Sequence, residues 1–244
     1  MIRIETLQGT LARRGFVDAV AAERVIDHWA DEHAPLLDLL AKSADPDLAL
    51  LSLDRLSERV PDLLTRLTAE PVLARQLVMV LGGSNKLSHH LIAHPEHLEL
   101  LETELVKVPA DSLRRELLQA TGADPESPIP IATDPTGNDL RIAYRGALLR
   151  IAARDLGSPE PIEAVVDIAD ELSDLADATL EAALSIARLK LGENALKTRL
   201  AVVGLGKCGA QELNYVSDVD VLFVAEPLLD DDGTQQVSND QAVQ

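Results

Sequence analysis

The sequence predicts a mainly α-helical fold with a C-terminal α/β part, and two observations support this prediction. From about residue 16 to residue 196, apolar residues recur at helical spacing, with charged residues on the opposite face. After Gly192, two short runs rich in β-branched residues bracket a glycine-rich turn. We therefore expect a helical region over residues 1–196 and the start of a second domain over residues 197–244.

Proline and glycine mark the expected helix boundaries. Asp45 and Ser158 each precede a proline, and proline favours the first position of a helix. Glycines stand where helices could end, at Gly122, Gly157 and Gly192. The segment 122–139, GADPESPIPIATDPTGND, is dense in Pro, Gly, Asp and Ser. It predicts a long loop that divides the helical region.

Composition excludes several classes of protein. The 41 acidic and 22 basic residues give a net charge of −19, which repels nucleic-acid backbones. No stretch approaches the ~20 apolar residues that a membrane span requires, and the N-terminus lacks a secretory signature. Cys208 is the single cysteine, so a disulfide framework within the chain is excluded. We expect a soluble, cytoplasmic protein that binds neither nucleic acid nor membrane.

The C-terminal part predicts strand, glycine turn, short helix and strand. The strands are expected at RLAVVG, 199–204, and VDVLFVAE, 219–226, and CGAQELNYVS between them has room for little more than two helical turns. The turn has the spacing Gly204-x-Gly206-x-x-Gly209, which many phosphate-binding folds share. Two strands alone rarely form a stable sheet, so we expect the sheet to be incomplete here.

Two carboxylates open the second predicted strand. Asp218 and Asp220 are two residues apart, so in an extended backbone both point to one face and can chelate a divalent cation. Hard oxygen ligands favour Mg²⁺ or Mn²⁺. Val219, Val221 and Phe223 point to the other face, which can pack against helices. A glycine turn beside such a pair is typical of phosphoryl transfer.

Two other functions remain open on this pattern. A Rossmann-like dinucleotide-binding module would use the glycine turn and an acidic residue about 20 positions on, and Glu226 stands at roughly that distance. That interpretation leaves Asp218 and Asp220 unexplained. A non-catalytic helical interaction protein is the second alternative.

A histidine-rich segment offers a weaker metal hypothesis. His90 and His94 are one helical turn apart, within a group completed by His89 and His97. Pro95 interrupts the helix, and no HExxH pattern is present. We therefore favour ordinary surface or packed histidines.

The residues GLGKCGAQELNYVSDVDVLFVAE, 204–226, resemble the signature G-x-G-K-x-G-x-x-E-L-N-x-x-S-D-x-D of the bifunctional glutamine synthetase adenylyltransferase/adenylyl-removing enzymes, in their actinobacterial form. Two weaker similarities occur in the family's order. They are the stretch 82–101, which contains HPE, and the stretch 141–158, which contains RIAARDL. The resemblance implies a polymerase-β-like nucleotidyltransferase domain preceded by a helical region.

The resemblance also implies roles for individual residues. Asp218 and Asp220 would be the catalytic, metal-binding carboxylates, with Mg²⁺ or Mn²⁺ as the metal. The residues implied in nucleotide and phosphate binding are Gly204, Gly206, Lys207, Gly209 and Ser217. ATP, ADP and phosphate would be substrates or products. Glutamine synthetase would be the partner protein, and a nitrogen-regulatory protein of the PII type is also compatible with the family.

About 200 residues precede the motif, so the chain is similar to the N-terminal, adenylyl-removing half of the family. That half uses phosphate to release ADP from a modified tyrosine. The family's third carboxylate, in a D-x-R-L-R-P-like strand, has no counterpart after Glu226. We therefore expect an incomplete fragment that has negligible activity alone.

Overall fold

The computed structural model describes residues 6–239 and residue 242. The first five residues of the predicted helical region and the last few of the predicted C-terminal domain therefore lie outside the description. The fold is mainly α-helical with a small C-terminal β part, as predicted. Its α-helices are α1 (Leu7–Arg13), α2 (Ala19–Ile26), α3 (Pro35–Leu40), α4 (Pro46–Arg59), α5 (Leu63–Ala69), α6 (Pro71–Gly83), α7 (Asn85–Ala93), α8 (Ala110–Ala120), α9 (Asn138–Leu156), α10 (Pro161–Leu191) and α11 (Gly206–Gly209). Three 3₁₀ segments and two strands complete it, at Asp31–His33, Pro95–Leu101, Gly192–Lys197, β1 (Thr198–Gly204) and β2 (Val221–Pro227).

Helix boundaries follow the proline and glycine signals with one exception. Asp45 caps α4, because its carboxylate accepts a hydrogen bond from the Leu48 amide at 2.9 Å. The signal at Ser158 is wrong by two residues, because α10 begins at Pro161 and the Ser158 hydroxyl instead accepts from the Glu160 amide. Residues 121–137 contain neither helix nor strand.

The described chain forms two compact units. The first comprises the residues up to Val106 together with Leu149–Pro161, and the second comprises Lys107–Leu148 together with the residues from Ile162 onward. The predicted domain boundary at residue 197 separates parts that the family resemblance distinguishes, whereas these two units are defined by packing. The boundary therefore stays a prediction. No helix among the described residues is both long and apolar enough to cross a membrane.

The first unit has a leucine core. Helices α4 and α6 pack against each other, and their inward side chains are at most 1% exposed, at Leu50, Leu53, Leu56, Leu73, Leu77 and Leu81. Gln76 is buried within this core, and its amide donates to the carbonyl oxygens of Leu101 and Thr103 at 2.9 and 2.8 Å. These bonds satisfy a buried polar group and anchor the end of the Pro95–Leu101 segment to α6.

In the second unit, α10 organises the segments around it. The buried Glu171 carboxylate accepts a hydrogen bond from the Val108 amide at 2.9 Å. Nearly two turns before the helix ends, the buried Ser185 hydroxyl lies 3.1 Å from that of Thr121, and the Ser185 carbonyl oxygen accepts from the Ala132 amide at 3.1 Å. The loop between α8 and α9 is therefore fixed to α10 by backbone and side-chain hydrogen bonds.

Candidate functional site

The two strands form an antiparallel hairpin. Pairing runs from Thr198 opposite Pro227 to Gly204 opposite Val221. The ladder continues one position further, because the Leu205 amide donates to the carbonyl oxygen of Asp220 at 2.9 Å. The glycine turn and Asp220 therefore meet at the same end of the hairpin.

This pairing is incompatible with the Rossmann-like alternative. A dinucleotide-binding unit joins parallel strands through a crossover helix, whereas β1 and β2 are antiparallel. Glu226, the residue expected to bind a ribose in that interpretation, lies opposite Arg199 and forms an ion pair with it at 2.9 Å. This ion pair stands at the end of the hairpin away from the glycine turn.

The turn after β1 depends on its glycines. Gly206 has φ +55°, a left-handed conformation that side chains disfavour. A Cβ atom on Gly209 would lie 2.4 Å from the carbonyl oxygen of Gly204. The backbone therefore approaches itself closely at this point, and only a residue without a side chain fits at position 209.

The helix that follows the turn is short, as predicted, and does not fill the available segment. Helix α11 covers only Gly206–Gly209, although CGAQELNYVS had room for little more than two turns. Two of its four residues are glycines, which are poor helix formers, and Gln211 adopts φ +59° directly afterwards. The Glu212 amide then donates to the carbonyl oxygen of Lys207 at 2.8 Å, which closes the turn.

The carboxylates lie just before β2 rather than within it. The strand begins at Val221, so the prediction that Asp218 and Asp220 occupy its first positions is wrong by one to three residues. Both aspartates are exposed. The Asp220 Oδ2 atom lies 3.3 Å from the point that a Cβ on Gly206 would occupy, so this carboxylate stands over the glycine turn.

The donor set suits a hard divalent cation, because it offers two exposed carboxylates separated by one residue. Within the described part of the chain, no group of three histidine, cysteine or acidic side chains is arranged to hold a metal. The roles of Asp218 and Asp220 as metal ligands therefore stay predictions. The same holds for the phosphate-binding roles of the turn residues.

Lys207 and Ser217 occupy different surroundings. Lys207 is exposed within the turn. Ser217 is half-buried and, together with Tyr144 and Asn214, lines a cavity of about 240 Å³. The structure therefore brings Lys207, the glycines and Asp220 together at one turn, and it places Ser217 beside α9 and α10.

Helix α10 supports the site through two residues that sequence reasoning missed. The Cys208 thiol, 2% exposed, donates to the Asp177 carboxylate at 3.7 Å. The Leu213 amide donates to the hydroxyl of the buried Ser173 at 3.3 Å. Ser173 and Asp177 are one helical turn apart, but nothing in a long helix of similar texture distinguishes them before the fold is known.

The Cys208 thiol is protected from ionisation. Burial raises its pKa, and the negative charge and hydrogen bond of Asp177 raise it further. Partial desolvation also raises the pKa of Asp177, although its side chain keeps contact with solvent. Cys208 is therefore a small buried side chain.

One face of the hairpin is only partly covered. Leu200, Val202 and Gly204 lie opposite Leu180 and Leu184 of α10, across a cavity of about 470 Å³. Phe223 pairs with Val202 in the register but is 61% exposed. The expectation that Phe223 packs against helices is therefore wrong for the described residues, because α10 covers β1 more fully than β2.

Three of the four histidines of the histidine-rich segment, His90, His94 and His97, form a cluster in the first unit, whereas His89 is exposed. His90 is 2% exposed, and its Nε2 atom lies 2.9 Å from Nδ1 of His97. His94 Nδ1 lies 3.0 Å from the Glu96 carboxylate, and its hydrogen bond contributes to the lowered pKa of Glu96 after the larger effect of a backbone hydrogen bond. Packed histidines, which the sequence favoured over a metal site, fit this arrangement.

Comparison with known proteins identifies the family. The chain is 41% identical over 231 residues to the bifunctional glutamine synthetase adenylyltransferase/adenylyl-removing enzyme of Cutibacterium acnes, a match that covers 91% of this chain and 23% of that protein. Proteins of the same name from Streptomyces coelicolor and Mycobacterium tuberculosis are 45% and 39% identical, over 88% and 89% of this chain and 21% and 22% of theirs. The chain thus spans a little over a fifth of the length of these relatives. The family profile described as "Glutamate-ammonia ligase adenylyltransferase" matches residues 74–243, which is more than half of the chain. The chain belongs to the glutamate-ammonia ligase adenylyltransferase family.

Proposed function

We propose that the chain is part of a nucleotidyltransferase that regulates glutamine synthetase, and that it belongs to the adenylyl-removing half. One observation carries this proposal. In a chain of this family, the exposed carboxylate of Asp220 stands 3.3 Å from the Cβ position of Gly206, directly over the glycine turn. That arrangement suits a nucleotide whose phosphates lie between the turn and a cation.

The proposed reaction is phosphorolysis of an adenylylated tyrosine. An oxygen of inorganic phosphate forms a bond to the phosphorus of the AMP group, and the bond between that phosphorus and the tyrosine oxygen breaks. The products are ADP and the free tyrosine, whose oxygen takes up the proton that the phosphate gives up. The Mg²⁺ ion would neutralise phosphate charge as the new bond forms.

The residues of this chain would position these groups. Asp218 and Asp220 would hold the cation, since both are exposed oxygen donors. Gly206 carries no side chain beside the Asp220 carboxylate, so a phosphate oxygen can approach the backbone there, whereas Gly209 lets the turn pack against Gly204. Lys207 would supply a positive charge beside the phosphates. Asp177 and Ser173 would act only by holding the turn and the following loop against α10.

Glutamine synthetase is the proposed partner, because the relatives carry its name in theirs. A regulatory protein of the PII type and a cytoplasmic location stay predictions. Among the described residues, the candidate site has two carboxylates and no third one. We therefore expect negligible ADP release from adenylylated glutamine synthetase by the 244-residue chain with phosphate and Mg²⁺.

Calorimetric titration of the 244-residue chain with ADP tests the binding site. We expect ADP to bind only when Mg²⁺ is present, and the double variant Asp218→Asn/Asp220→Asn to lose at least tenfold in affinity. The matched control is Asp231→Asn/Asp232→Asn, which removes the same charge from the acidic turn after β2 and should leave the affinity unchanged.

Two results would contradict the proposal. NAD⁺ binding that is independent of Mg²⁺ would favour a dinucleotide-binding module despite the antiparallel strands. An affinity for ADP and Mg²⁺ that is equal in the wild-type chain and the Asp218/Asp220 variant would favour a non-catalytic helical interaction protein.

A further inference from the structure

An exposed apolar patch adjoins the candidate site on the face of the hairpin that points away from α10. Side chains alternate between the two faces of a strand, and Leu200, Val202 and Gly204 of β1 lie on the α10 side. The opposite face therefore carries Val203 of β1 and, through the register, its partner Leu222 of β2.

The patch extends as far as the catalytic carboxylate. Because the Leu205 amide bonds to the Asp220 carbonyl, these two residues occupy the next paired position after Gly204 and Val221. Asp220 is two residues before Leu222, so both side chains lie on the same face of the extended backbone. The patch is thus continuous with the cation site.

Four apolar side chains on this face are exposed. We call this apolar patch the aliphatic platform, and its four side chains are 44 to 53% exposed: Val203 (44%), Leu205 (47%), Leu222 (53%) and Val224 (51%). Exposed patches of neighbouring apolar side chains on a protein surface often mark binding sites. Within the described chain these four side chains stay exposed, whereas α10 partly covers the other face.

We propose that the aliphatic platform binds the purine base of the adenine nucleotide whose phosphates occupy the neighbouring turn. This inference rests on the proposed function and adds a specific subsite to it. Its occupant is inferred from the position of the platform, because Asp220, the proposed cation ligand, lies on the same face of the hairpin directly beside it. A nucleotide has a phosphate end that suits the carboxylate-bound cation and a flat, largely apolar base that suits aliphatic side chains.

The dimensions of the platform agree with a single base. Neighbouring strands lie about 4.8 Å apart, and residues two positions apart on one strand lie ~7 Å apart. Val203 lies opposite Leu222, and Leu205 lies two positions further along the chain, so these three side chains span about 7 by 4.8 Å, an area comparable to one bicyclic ring system. Val224 extends the platform by a further ~7 Å at the end away from Asp220. Dispersion contacts over such an area favour a planar ring without selecting a particular hydrogen-bonding edge. The platform would hold the base, while the turn and the carboxylates orient the phosphates.

Two probes distinguish this subsite from the phosphate site. ADP contains both base and phosphates, whereas inorganic tripolyphosphate contains only the phosphates. With Mg²⁺ present, Leu222→Ala should weaken ADP binding by 5- to 20-fold and leave tripolyphosphate binding within twofold of the wild-type chain. The matched control is Leu229→Ala, which shortens an equally exposed leucine (60%) just beyond β2 and should change neither affinity.

The possible failures are separable. If Asp218→Asn/Asp220→Asn weakens both probes but Leu222→Ala weakens neither, the proposed function stands and the platform is wrong. If Leu222→Ala weakens both probes equally, it acts on the phosphate site and the base subsite is also wrong. If Leu222→Ala spares ADP but weakens binding of glutamine synthetase, the patch is a protein-docking surface instead. If the wild-type chain binds neither probe, both the proposed function and the platform are overturned.

A tryptophan at position 222 supplies a direct signal for the base. In a Trp29→Phe background, which removes the single native tryptophan, the fluorescence of Leu222→Trp should fall on addition of ADP and Mg²⁺ and stay constant with tripolyphosphate. Equal responses to the two probes would contradict stacking of the base on this face.

Discussion

Replacement of Gly209 by alanine tests the geometry on which the candidate site depends. The added Cβ would lie 2.4 Å from the oxygen and 2.9 Å from the carbon of the Gly204 carbonyl, whereas ordinary van der Waals contacts are 3.4–4 Å. The two backbones would have to separate by about 1 Å at this contact. Gly204 is paired with Val221, so it cannot move without disturbing the hairpin.

Overpacking of this kind typically costs about 1–3 kcal/mol. Because the obstructing atoms belong to the backbone, we expect Gly209→Ala to lower the free energy of opening the turn by an amount in the upper half of that range. Since ~1.4 kcal/mol corresponds to a tenfold change in an equilibrium constant, the open state of the turn should become roughly 25- to 150-fold more populated.

The neighbouring Cys208 provides the assay. It is the single cysteine and is 2% exposed, so thiol reagents modify it only when the turn opens. We expect the modification rate of Gly209→Ala to rise in proportion to the open population, and the urea midpoint measured by circular dichroism to fall. Gly204→Ala is the matched control, because its Cβ would meet nothing closer than 3.5 Å. Equal modification rates for the two variants would refute the close approach inferred at position 209.

Two further predictions concern the core and the thiol. Leu53→Ala on α4 removes a side chain that is 0% exposed and should lower the free energy of unfolding by about 2–5 kcal/mol. Leu51→Ala on the same helix removes a side chain that is 45% exposed and should change the free energy of unfolding by less than ~1 kcal/mol. Equal urea midpoints for the two variants would contradict the assignment of the core. Because the pKa of Cys208 is raised in the folded chain, the unfolded chain loses its proton first, so stability should be constant at neutral pH and fall as the pH rises above about 8.5. Asp177→Asn should reduce that alkaline loss, and an alkaline loss unchanged from wild type would exclude the contribution of Asp177 to the raised pKa. The same variant removes a contact that holds the turn and should therefore speed modification of Cys208.

Local signals in the sequence predicted much of the fold. The proline after Asp45 and the glycine after α9 and α10 mark real helix boundaries, because capping and the end of a helix are decided within a few residues. The same reasoning did not locate the end of the helix after Gly206. There, glycines and the left-handed Gln211 ended the helix after four residues, although the segment was long enough for two turns.

The candidate site was predictable in part. The motif named Asp218, Asp220 and the glycines of the turn, because their types and spacing are properties of the chain itself. It did not reveal Ser173 and Asp177, which contact the turn and loop from α10 at separations of 40 and 31 residues along the chain. It also did not reveal that Phe223 would stay exposed, since the residues that bury a strand side chain are distant from it in the sequence.

The sequence by itself determined the class of fold, the family signature and which residues are candidates for binding phosphate and metal, because composition, periodicity and spacing are local quantities. Only the tertiary structure decided that the two strands are antiparallel, which removes the dinucleotide-binding interpretation, and that Asp220 stands over Gly206. The direction of β2 and the pairing of Leu205 with Asp220 depend on the path of the 16-residue loop between β1 and β2. Contacts with α10, rather than a pattern within the loop, fix that path.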